Sequence, residues 1–247
     1  MTGLSIAGNG LSMVALRNHA QVGKTAASSM EKLATGSRIN RGADDPAGLI
    51  SSEDLKAALA SLDAESRGMD RADAVANVAD GALEEISQLL GDAQAAAVAM
   101  ANTGGMSRAE RDAHRMEIDS ARQSAERIVA TTRFNGARVL DGNTTLSAGG
   151  ESVRIERIDT SDLGAAMSQV ATLRGKIGAL QKNAIGSQQR SNAAAVENVA
   201  AAYSAIHDTD YAGETAALAR GQLLRRSTLG VLGLANSLPR DGLSLLA

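Results

Sequence analysis

A chain of 247 residues with a net charge of −3 is long enough for one or two domains. Its acidic balance argues against a dedicated nucleic-acid binder, since such domains are usually basic. Hydrophobic residues make up 44% but aromatics only 1%, with no tryptophan and no cysteine; this excludes a core of large rings and any disulfide or cysteine-based metal site.

The apolar content is Ala, Leu, Val, Ile and Met, and Pro46 and Pro239 are the only prolines. This is the composition of long helices and helix-on-helix seams. No run approaches the ~20 apolar residues of a membrane span. The Met1–Ile6 start has no basic region leading into an apolar one, so no cleavable secretory signal is expected.

In chain order, residues 4–35 read as a helix with a loose stripe of Leu4, Leu11, Val14, Val22, Met30 and Leu33. Gly8, Gly10 and Gly23 each weaken it by about 1 kcal/mol relative to Ala, so this helix needs partners. A Gly-rich polar connector follows, and Asp44-Asp45-Pro46 restarts a helix. Aspartate suits the N-cap, and proline at the first helical position loses no hydrogen bond.

Residues 46–102 carry the strongest pattern. Leu55, Leu62, Met69, Ala76, Leu83, Leu90 and Ala97 occupy one heptad position, and Ala58, Glu65, Ala72, Ala79, Ile86, Ala93 and Met100 the other, with Glu65 the single break. Such a repeat is a coiled-coil seam. The helix would be about 85 Å long, which predicts a rod.

Thr103-Gly104-Gly105 ends this helix, and Ser107 with Glu110 forms a capping box for the next, residues 107–130. Its apolar face is Ile118, Ala121, Ala125 and Ile128. Residues 133–158 change character, with turn signals at Phe134-Asn135-Gly136 and Asp141-Gly142-Asn143. The alternation over Ser152–Ile158 predicts a half-buried strand, making this the one β-capable region. A second heptad helix starts at Asp159–Asp162 with Leu163, Ala166, Val170, Leu173, Ile177, Leu180 and Ala184 as its seam. Val196, Val199, Tyr203 and Ile206 continue in a shifted register. A joint at His207–Asp210 leads to a final helix, about 211–237, with Leu218, Leu224, Leu229 and Leu232. Pro239 is expected to end it, leaving Leu243, Leu245 and Leu246 as an apolar tip. The expected fold is mostly α: a long antiparallel coiled-coil rod, a small β-hairpin region and paired terminal helices.

Candidate chemistry is thin. Gly23-Lys24-Thr25 looks like the end of a phosphate-binding loop, but Asn18 stands where that pattern needs glycine, and the run lies on a helix. Glu110, His114 and Glu117 share a helical face that reads as solvated rather than metal-binding. His207 beside Asp208 reads as a helix-end histidine. Asp44 and Asp45 are explained as capping. No catalytic residue, cofactor or metal is expected, and no enzyme.

Ser29–Gly48 resembles the joint of bacterial flagellins through Glu31, Leu33, Gly36, Arg38, Ile39, Asn40, Asp44, Asp45, Ala47 and Gly48. Asp80–Ile86, Arg133–Leu140, Asp208–Glu214 and Ala235–Leu246 resemble further flagellin motifs in the family's order. The resemblance implies an inner domain from the N-terminal helix and joint (1–43) and the C-terminal helix (209–247). It implies a rod domain from 44–132 and 161–208, and a short β region, 133–160, replacing variable outer domains. It implies a subunit exported unfolded through a type III channel that polymerises at the tip of an extracellular filament. Its partners would be further copies of itself or other flagellins, an export chaperone, the filament cap and hook-associated proteins, with no nucleic acid and no membrane.

Leu4, Leu11, Val14, Leu229, Leu232, Leu245 and Leu246 are expected between subunits, together with Arg38, Asn40, Asp44 and Asp45 of the joint. Asp92 and Gln94 stand where many flagellins carry arginines recognised by an animal innate receptor, so poor recognition is expected. Thr144, Thr145 and Ser147 are candidate glycosylation positions in an outermost loop. The alternatives are a hook–filament junction protein, which shares the terminal helices, and an unrelated cytoplasmic coiled-coil adaptor.

Overall fold

The computed structural model describes residues 9–101 and 104–244. The elements follow the chain as α1 (Gly10–Thr35), α2 (Pro46–Ala101), α3 (Arg108–Thr131), β1 (Arg133–Phe134), β2 (Ala137–Arg138), β3 (Thr145–Ala148) and β4 (Glu151–Arg154). Then come α4 (Leu163–Ala179), a π-helical turn (Leu180–Ile185), α5 (Gly186–His207) and α6 (Tyr211–Ser244). There are two compact units, Met1–Ala58 with Asn198–Ala247, and Leu59–Glu197. The division falls inside α2 and inside α5.

In the unit 59–197, the heptad of α2 turns inward. Met69, Ala76, Ala79, Leu83, Ile86, Leu90 and Ala93 are buried. Of these, Ala76, Ala79, Leu83, Ile86 and Leu90 join Ala125 and Val129 of α3 and Ala166, Val170, Leu173 and Ile177 of α4 in one core. Glu65, the break in the repeat, is exposed, and Gln188 Nε2 donates to its carboxylate at 3.0 Å. Further polar ties cross between the same helices: Arg174 to Asp80 at 2.8 Å and to Glu84 at 3.6 Å, Gln181 to Asp73 at 2.9 Å, and Asn192 Nδ2 to the Leu62 carbonyl at 2.8 Å. The buried stripe of α3 contains Val129 rather than Ile128, which is half-buried.

The shifted register of the second heptad helix has a backbone cause. The seam runs 163, 166, 170, 173, 177, 180, 184 and then resumes at Ile185 and Asn192. At the step, the Gly186 N–H bonds to the Gln181 carbonyl, five residues back. A π turn takes up one extra residue, so Ala184 and Ile185 are both buried and the stripe moves on by one.

The β region is two hairpins. β1 pairs with β2, and Thr145↔Arg154 to Ala148↔Glu151 pair β3 with β4, all antiparallel. Both turns have two residues with positive φ: Asn135 (48°) with Gly136 (82°), and Gly149 (58°) with Gly150 (82°). Such turns match the twist of their strands and demand Asn or Gly. The expected strand over Ser152–Ile158 stops at Arg154. Ile155 and Ile158 continue as irregular chain, and both are buried against α2 and α4 residues in the core. Its partner β3 contains Thr145 and Ser147, so these two sit in a strand, not in a loop.

In the other unit, α6 continues through Pro239 to Ser244, contrary to the expected stop. Proline inside a helix leaves the carbonyl four residues earlier without its amide partner. Here that carbonyl belongs to Ala235, and the side-chain amide of Asn9 donates to it. The hydrogen bond that proline removes is thus replaced from outside the helix.

Candidate functional site

The unit formed by Met1–Ala58 with Asn198–Ala247 is built around two joints. At the first, Gly36 closes α1 in the left-handed conformation, φ 73°, with its N–H on the Lys32 carbonyl at 2.9 Å. At the second, α5 ends at His207, which stacks on Tyr203 with ring centroids 4.7 Å apart. The joints pair with each other. Ser37 and Asp208 form an antiparallel bridge, the Arg38 N–H donates to the His207 carbonyl at 2.7 Å, and the Thr209 N–H to the Gly36 carbonyl at 2.9 Å.

The connector after Gly36 is held by its own side chains. Asp44 Oδ2 accepts from the Asn40 N–H at 3.1 Å and the Arg41 N–H at 2.9 Å, so Asp44 folds back on the connector instead of capping α2. Asp45 is the cap, accepting from the Gly48 N–H at 2.9 Å. The Asn40 amide donates to the Ser37 carbonyl at 3.0 Å. Ile39 is buried and lies over Gly48, where a Cβ would come within 2.8 Å of Ile39 Cδ1. Arg41 pairs with Glu31 at 2.8 Å. Arg38 is exposed.

Beyond the joints α1 and α6 pack antiparallel. The contact seam of α1 is Ser12, Ala15, His19, Val22, Ala26 and Ser29, spaced three and four apart, one residue on from the expected Leu11 and Val14. At its centre Ala26 meets Gly221, where a Cβ would lie 3.1 Å from the Ala26 methyl. Ser12 Oγ bonds Asn236 at 2.7 Å, His19 Nδ1 meets the Thr228 hydroxyl at 3.0 Å, and Lys32 Nζ meets Glu214 at 3.0 Å. Ser29 and Lys32 hold the Glu214 carboxyl below its usual range. The Ser204 hydroxyl, with His207, does the same for Asp208.

Small residues at the seam let the backbones approach, and the large apolar side chains face away. Leu11 is 66% exposed, Leu229 52% and Leu234 67%. Val14, Met13, Leu16, Leu223, Leu224 and Val231 are exposed as well. Of the residues expected between subunits, Leu11, Val14 and Leu229 are outward, Leu232 is half-buried, and Leu4, Leu245 and Leu246 lie outside the described residues. Sequence reasoning passed over Met13, Leu16, Val231 and Leu234. The signal for them was apolar residues on more than one face of the same helix, which one partner helix alone does not cover.

The other candidates find local roles. Glu110 closes the capping box with Ser107, and its carboxyl is lowered by that hydrogen bond. His114 meets Glu117 at 3.2 Å. Among the described residues no cluster of His, Asp and Glu is placed to hold a metal ion, and no helix is long and apolar enough to cross a membrane.

The bacterial flagellin N-terminal helical region matches residues 6–145, and the flagellin C-terminal helical region matches 160–246. The chain is 30% identical to a flagellin of Halalkalibacterium halodurans, covering 88% of this chain and 90% of the relative. It is 28% identical to a flagellin of Bacillus subtilis over 88% and 91%. It is 26% identical to the flagellar filament 30.7 kDa core protein of Treponema maltophilum, again over 88% and 91%. None of these relatives favours the junction reading. The chain belongs to the bacterial flagellin family, structural subunits of the flagellar filament outside the cell.

Proposed function

We propose that the terminal pair α1–α6 is the assembly element of this filament subunit, and that burial of its outward apolar residues between copies drives polymerisation. The observation carrying this is the inverted packing of the pair, with Ala15, Ala26, Ser29 and Gly221 buried at the seam and Leu11, Met13, Val14, Leu16, Leu229 and Leu234 in water. Apolar exposure on this scale marks an interaction surface. In this reading residues 1–43 and 209–247 form the inner layer of the filament, 44–132 and 161–208 the next, and 133–160 the outer rim. Leu4, Leu11, Val14, Leu229, Leu232, Leu245 and Leu246 contact neighbours. Arg38 is free to do so, while Asn40, Asp44 and Asp45 set the angle of the connector.

The chain travels unfolded through a type III channel and folds on assembly. The absence of cysteine suits such a route, and a segment ordered by its partner has its folding cost offset at the interface. Export chaperone, filament cap and hook-associated proteins are its transient partners. The family role is structural, and the subunit performs no catalysis.

The test substitutes Leu11→Asp and Leu229→Asp separately in the full chain. Both positions are exposed, so monomer stability should change by no more than about 0.5 kcal/mol. Polymerisation, followed by sedimentation and electron microscopy, should be lost. Filaments forming at the unmodified concentration would overturn the reading.

A further inference from the structure

Asparagine is followed by glycine twice in this chain, at Asn9-Gly10 and at Asn135-Gly136. The pairing carries a chemical hazard. The main-chain nitrogen after an asparagine can attack the side-chain amide carbon, and glycine alone puts no Cβ in the way.

The fold treats the two pairs differently. Asn9 is held at both ends of its carboxamide: Oδ1 accepts from the Ser12 N–H at 3.2 Å, and Nδ2 donates to the Ala235 carbonyl. Attack on its Cγ has to break both. Asn135 and Gly136 are exposed. Neither the Asn135 carboxamide nor the Gly136 N–H has a hydrogen-bond partner among the described residues. They form the turn between β1 and β2, whose pairing is Arg133↔Arg138 and Phe134↔Ala137. A ladder this short opens at little cost, so the torsions that bring the nitrogen onto Cγ are within reach. The Arg133 guanidinium donates to the Gly136 carbonyl at 3.0 Å. It places a positive charge near the nitrogen that must lose a proton, which favours the anion.

We propose that Asn135 is a site of spontaneous deamidation, and that Asn9, with the same following residue, is spared. Solvent base takes the Gly136 N–H proton, and the nitrogen attacks Asn135 Cγ. The Cγ–Nδ2 bond breaks, ammonia leaves with a proton from water, and a five-membered succinimide closes. Water then adds to one of the two ring carbonyls. Opening at Cγ leaves aspartate. Opening at the main-chain carbonyl carbon leaves isoaspartate, with the backbone rerouted through Cβ and Cγ. Nothing is oxidised or reduced: an amide and water become a carboxylate and ammonium. The new carboxylate joins a hairpin in which Arg133 and Arg138 stand opposite each other. Like charges so placed are unfavourable, and a carboxylate beside them offsets this. The inference concerns the folded subunit alone and does not depend on polymerisation.

The experiment incubates the full chain at mildly alkaline pH, one sample folded and one in urea. Each asparagine is followed by peptide mass mapping, with the isoaspartyl form separated by chromatography. In the folded chain Asn135 should react at least about tenfold faster than Asn9, the factor that two hydrogen bonds of ordinary strength supply. In urea the two rates should converge, because the contacts that distinguish the sites are gone. Hydroxylamine, which cleaves a succinimide, should cut the folded chain after Asn135 and leave Asn9 intact. Asn135→Asp should suppress that cut and keep the melting curve, since aspartate also accepts a left-handed backbone. No reaction at Asn135 in the folded chain, or equal rates at Asn9 and Asn135, overturns the proposal. A rate ratio unchanged by urea also overturns it, because the folded contacts would then not be the cause.

Discussion

Removing Asn183 should leave the fold nearly unchanged, whereas removing Ala171 should not. Both residues are exposed and both lie on the continuous helical stretch that begins at α4. The difference is the π turn. With Asn183 deleted, Ile185 moves into the seam position that Ala184 held, and Asn192, Val196 and Val199 keep their face. The turn becomes α-helical and loses nothing the core needs. With Ala171 deleted, the helix before it rotates by about 100° relative to the helix after it. Leu173, Ile177 and Leu180 stay in place only if Ala166 and Val170, now fully buried, leave the core. Exposing the valine costs about 1.5–3 kcal/mol, and the alanine and the voids add to that. The expected total is about 3–5 kcal/mol, which lowers the midpoint of thermal unfolding by about 10 °C for a unit of this size. Circular-dichroism melts of the monomeric variants provide the assay. The Asn183 deletion should stay within about 3 °C of the parent. Equal destabilisation by the two deletions would refute the argument that the π turn stores the extra residue.

Other consequences are simpler to state. Leu83→Ala and Ile177→Ala empty fully buried sites, so each should cost about 2–5 kcal/mol in chemical denaturation. Asn9→Ala removes both the cap of α1 and the partner of the Ala235 carbonyl. Amide exchange should speed up at the start of α1, corresponding to about 1–2 kcal/mol. Glu214 and Asp208 have folded-state pKa values below the ordinary range. Their contribution is therefore present above the unfolded value of about 4 and is lost as pH falls through the folded value. The joints should loosen in that acid range, and Glu214→Gln should flatten the pH dependence of Lys32-side amide exchange. An unaltered slope in Glu214→Gln would count against this role for the pair.

Much of this molecule is legible from local pattern. The heptad from Met69 to Ala93 identifies the buried face of α2, because a 3.5-residue repeat of apolar side chains has one way to leave water. Ser107 with Glu110, and Asp162 ahead of α4, announce helix starts by reciprocal or direct capping of free N–H groups. Asn135-Gly136 announces a hairpin because few other pairs tolerate two positive φ angles. The Gly149-Gly150 turn carries the same signal and fixes the second hairpin of the expected β region, whose strand ends at Arg154 rather than at Ile158. The flagellin likeness was readable too, since its motifs are spread through the chain in the family's order.

What the sequence determined by itself, then, is where helices begin, which stripe of α2 and α4 is apolar, where the chain must turn, and the family. These are properties of windows shorter than a few turns. Tertiary structure decided the rest. The larger side chains of α1 looked like its seam, but packing against α6 selects Ala15, Ala26 and Ser29, because small residues opposite Gly221 allow the backbones to meet. Asp44 looked like a cap, but the path of the connector turned it back on Asn40 and Arg41. Pro239 looked like a stop, yet α6 passes it because Asn9, distant in sequence, supplies the donor that proline lacks. In each case a partner brought close only by folding satisfies a group that local pattern left open.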